Sequence, residues 1–221
     1  MKWILALLAL ACTGAVFAEN WPEAITPDGI EPQWAAEDMI FNGVPMRIFT
    51  FNYEPGVKAL RRFYQNIWER DGVDHKAVRQ GKWWVLSSLA GDYYTTVQIT
   101  DFGAGAYAQV GVSRISELRT SAPPGEGVPA LPRSEVISDI IATDAGRTSR
   151  TVIVRNQHSV GSNYSYYLNH YRSHNWTAVR KKLDQTRRGA RIGFAKDDRE
   201  LDIVIKREGR MVNVMSVEVR R

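Results

Sequence analysis

A chain of 221 residues with 29 Lys and Arg against 24 Asp and Glu, a net charge of +5 and 44% hydrophobic residues has the balance of a folded protein, which excludes a largely disordered one. Its single cysteine, Cys12, excludes a disulfide framework, so stability must come from buried apolar surface.

Residues 1–18 read as a signal peptide: Lys2, the apolar residues 3–11, then small residues up to Val16-Phe17-Ala18 before Glu19. Cleavage is expected after Ala18. The apolar stretch falls short of the about 20 residues that a membrane-spanning helix needs, so no transmembrane segment is expected in the mature chain. Ala9-Leu10-Ala11-Cys12 loosely resembles the site at which lipoproteins are acylated, without the usual leucine three places before the cysteine. The expected location is outside the cytoplasm, periplasmic or secreted, with lipid attachment at Cys12 as the alternative.

Residues 19–38 contain Trp21-Pro22, Pro27-Asp28-Gly29, Pro32 and Trp34, and read as an irregular arm whose tryptophans dock on a first module, expected over residues 39–119. In that module, residues 46–52 alternate as a strand, and Pro55 opens a helix in which Val57, Leu60, Tyr64, Ile67 and Trp68 recur at three-and-four spacing until Gly72. Strands are expected next at residues 83–90, 93–100 and 104–115, with turns at Gly91-Asp92 and Phe102-Gly103. Residues 120–132, TSAPPGEGVPALP, are too rich in Pro and Gly for helix or strand and read as a linker.

The second module, residues 133–221, repeats this order. It has a strand over residues 149–156, a helix striped by Tyr164, Tyr167, Leu168 and Tyr171 with Ser162 as its cap, and strands over residues 190–195, 200–206 and 211–219. Tyr64 falls on Tyr167, Gly72 on Asn175 and Gly103 on Gly209. The pattern implies an α+β fold of two tandem related modules, each a strand–helix–three-strand unit with one helix packed on an antiparallel sheet.

Charge divides unevenly. Residues 19–130 hold 10 Lys and Arg against 14 Asp and Glu, a net of −4; residues 131–221 hold 18 against 10, a net of +8. The densest basic run, Arg180, Lys181, Lys182, Arg187, Arg188 and Arg191, suits an anionic lipid or glycan, and equally suits the guarding of a sheet edge. Nucleic acid is disfavoured, because no aromatic rings are interleaved with these cations as stacking platforms.

Chemistry is sparse. His170 and His174 stand one helical turn apart, a metal-ligand spacing that His158 could complete, but the glutamate of a zinc-protease helix is missing. No G-x-S-x-G occurs, Asp197-Asp198 reads as a hairpin tip, and of the helix tyrosines only Tyr166 is placed to be an exposed platform. No cofactor is expected. The function these features favour is that of a non-catalytic exported binding or assembly protein that engages another envelope protein. The alternatives are a binder of anionic lipid or glycan through residues 180–191, and an enzyme whose site lies between the modules.

Overall fold

The computed structural model describes residues 21–116, 122–144, 146–184 and 188–220; the signal peptide, Cys12 and Arg187 lie outside them. In chain order, β1 (Gln33–Phe41) and β2 (Val44–Tyr53) form a hairpin, α1 (Val57–Arg70) comes next, and β3 (His75–Gln80), β4 (Trp83–Ala90), β5 (Tyr93–Phe102) and β6 (Gly105–Arg114) form a meander. The second half runs through the hairpin of β7 (Glu135–Asp144) and β8 (Arg147–Asn156), then α2 (Val160–Ser173). It ends in the meander of β9 (Thr177–Leu183), β10 (Gly189–Lys196), β11 (Arg199–Glu208) and β12 (Met211–Arg220).

These strands form one 12-stranded antiparallel sheet in the order β3-β4-β5-β6-β2-β1-β7-β8-β12-β11-β10-β9. The expected α+β class is thereby overturned, because the protein is mostly β with only two helices among the described residues; the sequence left open whether its two tandem modules share a sheet, and they do. Each half contributes six strands where four had been expected, because β1, β3, β7 and β9 carry weak sequence signals. Bulges at Trp34/Ala36 and Ala36/Met39 interrupt the alternation of β1, and one at Val136/Ser138 interrupts β7. The other two are edge strands whose exposed polar residues hide the period.

Both halves nonetheless take the same path. The helices begin at Val57 and Val160, an offset of 103, and the last three strands begin at Trp83, Tyr93 and Gly105 against Gly189, Arg199 and Met211, an offset of 106. Each helix ends on a residue of left-handed backbone, Gly72 at φ 66° and Asn175 at φ 63°, the two residue types that adopt it most readily. The cap of α2 is Ser159, whose hydroxyl accepts from the Ser162 amide; Ser162 itself lies inside the first turn.

The halves join where β1 meets β7, with Met39, Ile40 and Phe41 opposite Ala142, Ile141 and Ile140. Across this seam Pro45, Ile40, Ile141 and Arg150 stand side by side. Pro45 is in phase with the buried Phe49 and Phe51 of β2, and Arg150 with the buried Val152 and Val154 of β8. The helix-covered sides of both halves are therefore one face of the sheet. Under α1, Leu60, Tyr64 and Trp68 pack on Leu86, Val97, Ile99 and Val110; under α2, Val160, Tyr167 and Tyr171 pack on Ile192, Phe194, Ile203 and Val214.

Neither irregular segment is a free tether. The arm before β1 is held by the Tyr64 hydroxyl, which donates to the Ile25 carbonyl at 2.7 Å, and residues 122–132 are held by Tyr166, which donates to the Ala130 carbonyl at 3.1 Å. Tyr166 is thus committed to the chain and is no open platform.

One core position differs between halves. Leu60 is fully buried in α1, whereas Asn163, at the same place in α2, is equally buried and exchanges two amide hydrogen bonds with Asn156 at 2.9 and 3.1 Å. Asn163→Leu is expected to cost about 1–3 kcal/mol, because it removes two of the four hydrogen bonds of the buried Asn156 amide and leaves those with Ser134 and the His158 amide. Urea denaturation of Asn163→Leu, Asn156→Ala and the double variant checks this; coupling requires the double to cost less than the sum of the singles.

Candidate binding surfaces

The structure disperses the basic run. Arg180, Lys181 and Lys182 lie on the edge strand β9, and Arg191 on β10 opposite Lys182. Lys181 pairs with the buried Ile192 and so projects toward the helix-covered face, whereas Arg180, Lys182 and Arg191 project from the other. Asp202 binds both Arg180, at 3.2 Å, and Arg191, at 3.0 Å. Arg188 precedes β10, its carbonyl accepting from the Arg207 amide. The described cations of the run therefore divide between the two faces of the sheet, and Asp202 offsets one of the two charges it binds.

His170 and His174 do come together, with ring centroids 4.2 Å apart in a stack. The His174 Nδ1–H donates to the His170 carbonyl at 2.7 Å, since a carbonyl can only accept. Burial, with the neighbouring His174, holds the His170 imidazole below its ordinary value of 6.5. His158 is elsewhere, its Nε2 bonded to the Pro132 carbonyl at 2.9 Å, and among the described residues no three His, Cys, Asp or Glu side chains are grouped to share a metal ion.

These imidazoles border a cleft of about 190 Å³ between α2, residues 127–129 and the sheet. Its floor is made by side chains that belong to no motif in the sequence: Arg150 from β8, Arg199 from β11, Glu218 from β12, and Trp176 after α2. Arg150 is fixed by Asp139, to which it donates twice, at 3.0 and 2.7 Å. Arg199 lies over the Trp176 ring at 5.0 Å, with Glu218 at 3.6 Å, beyond hydrogen-bond reach. The available signal was phase: Arg150 falls on the inward side of a strand whose other inward residues are Val152 and Val154.

A second hollow, of about 290 Å³, lies at the seam beside Ile40, Pro45 and Ile141. Two of its charged side chains, Asp139 and Arg150, are spent on each other.

The opposite face of the sheet has no helix on it among the described residues. There Met46, Met39 and Ala142 form one row across the seam, and Phe41 and Ile140 stand in the next. Ile153 and Met215, paired with each other, extend the apolar strip into the second half. Phe41 is 36% exposed and Met215 37%. In the first half the same face carries Trp83, Phe102 and Tyr107, with the Tyr107 ring 6.3 Å from Trp83 and 6.4 Å from Phe102, and Phe102 62% exposed. Large apolar side chains on a sheet face without cover among the described residues make this face a candidate interaction surface.

Fold and surfaces together define a mostly β protein that presents one broad open sheet face and one polar cleft beneath a helix. No protein-family model, curated protein or solved structure matches the chain. Among the described residues no helix is long and apolar enough to cross a membrane.

Proposed function

We propose that this is a non-catalytic binding or assembly protein that docks another protein on its open sheet face. One observation carries the reading: Met39, Phe41, Met46 and Ile140 form an apolar strip across the seam that resumes at Ile153 and Met215 beyond Ser138 and Thr151, with no cover among the described residues. Its scale fits a functional patch. The strip crosses about five strands and five residue rows and covers roughly 400 Å² at the usual strand spacing, within the size at which the largest apolar patch of a monomer is often functional. Its composition fits as well, since Met and aromatic residues are enriched at interface centres. The signal-like residues 1–18 favour a partner among envelope or extracellular proteins.

Anionic lipid or glycan binding through residues 180–191 is the weaker reading, given that Lys181 lies on the other face from Arg180, Lys182 and Arg191 and that Asp202 offsets part of the remaining charge. The test is capture from envelope extract with the wild-type chain and with Phe41→Lys/Met215→Lys, and then calorimetry on the protein captured. Binding by the double variant is expected to weaken about tenfold or more, with an unchanged circular dichroism spectrum. Equal affinity of the two baits defeats the reading. Sedimentation of the chain alone is the second measurement: if the wild type self-associates and the variant does not, the occupant is a second copy rather than another protein.

A further inference from the structure

The two halves treat one position of the fold differently. In the first half, the indole of Trp21 lies on the helix-covered face with the guanidinium groups of Arg47 and Arg114 each 4.8 Å from its ring centre, and Tyr93 at 5.7 Å. Arg47 is the fourth residue of β2, Tyr93 the first of β5 and Arg114 the tenth of β6. The same places in β8, β11 and β12 hold Arg150, Arg199 and Arg220.

Arg150 and Arg199 are the floor of the cleft beneath α2. The segment that enters the second half, residues 122–132, carries no aromatic residue, and Pro124, which stands where Trp21 would fall at the offset of the helices, is exposed. The first half fills this position with Trp21; in the second, Trp176 after α2 already packs on Arg199, and the place beside Arg150 is left as the cleft.

We propose that the cleft is a binding site for a tryptophan side chain presented by a partner polypeptide, which stacks against Arg150 as Trp21 stacks against Arg47, with Arg199, the counterpart of Tyr93, beside it. Guanidinium groups attract aromatic faces most strongly for indole. Asp139 already holds the Arg150 charge, which leaves the planar face of that guanidinium to be recognised, while one face of Arg199 is taken by Trp176. Glu218 adds selectivity. It replaces the Val112 of the first half at the eighth position of the strand, and its carboxylate can accept the indole N–H, which a phenyl ring lacks. The cleft lies on the face opposite the docking strip, so the site stands or falls independently of that surface.

The experiment is a titration of the isotope-labelled chain with N-acetyl-L-tryptophanamide, monitored by NMR. Backbone amides of Gly127, Val128, His170 and Trp176 are expected to shift on a common saturation curve, and N-acetyl-L-phenylalaninamide is expected to bind more weakly. Glu218→Val, which installs the first-half residue, should weaken tryptophanamide binding about tenfold by removing a hydrogen bond to a charged acceptor. Arg199→Ala should weaken it further, and retention of the first-half spectrum shows that each variant is folded. No shift at these amides up to the solubility limit overturns the proposal. So does equal binding by both variants, or a response of the cleft to inorganic phosphate alone.

Discussion

Asp139→Ala is expected to lower the unfolding free energy by about 3 kcal/mol, measured by urea denaturation. The carboxylate is the hub of the seam. It receives two hydrogen bonds from Arg150 and one from the Gly125 amide at 2.7 Å, while its backbone amide donates to the Asn42 side chain and its carbonyl accepts from the Asn42 amide, both at 2.8 Å. Removing one partner of a buried pair costs about 3–5 kcal/mol because the other charge is stranded. Arg150 keeps 32% of its side chain in contact with solvent and also donates to the Glu126 carbonyl, which places the loss at the lower end. Asp139→Ala/Arg150→Met should recover most of it, since removing both charges leaves nothing unpaired.

The same pair sets a pH dependence. Burial alone would raise the Asp139 carboxyl, but the hydrogen bonds from Arg150 and Gly125 and the Arg150 charge hold it below its ordinary 3.8. A carboxyl depressed in the folded state stabilises the protein above the unfolded value and loses that contribution as pH falls through the folded one. Below pH 3.8 the wild type should therefore lose stability more steeply than Asp139→Ala.

Trp68→Ala is expected to cost about 3–5 kcal/mol, a large part of the 5–15 kcal/mol typical of folded domains. The ring is 3% exposed, packed 5.5 Å from Tyr64 and 5.7 Å from His75, and sits where α1 crosses the first half of the sheet. With no disulfide to limit the unfolded chain, this loss has no covalent compensation. Trp68→Phe keeps most of the apolar area and should recover at least half of it, read from the urea midpoint at constant slope.

Much of the candidate chemistry was visible as residue type but not as location. His170 and His174 were legible as neighbours because helical spacing is local, and they do stack. The basic run was legible as a charge density, yet strand alternation sends Lys181 to one face and Arg180 and Lys182 to the other, and Asp202, outside the run, bridges two of its cations. The cleft could not be read, because Arg150, Trp176, Arg199 and Glu218 come together only when β8, β11 and β12 lie side by side.

The sequence by itself determined the two helices, the strands β4, β5 and β6 with their second-half counterparts, and the tight turns between them. All of these rest on short-range periodicity and on residues that tolerate left-handed backbone. It did not determine the fold class. Whether two halves form separate sheets or one depends on which edges pair, and that was decided at β1 and β7, where bulges erase the alternation and the hydrogen bonds run between segments about a hundred residues apart. The tertiary structure also decided which apolar residues are core. The same alternation that buries Phe49 and Val214 leaves Met46 and Met215 on a face with no second layer over it among the described residues.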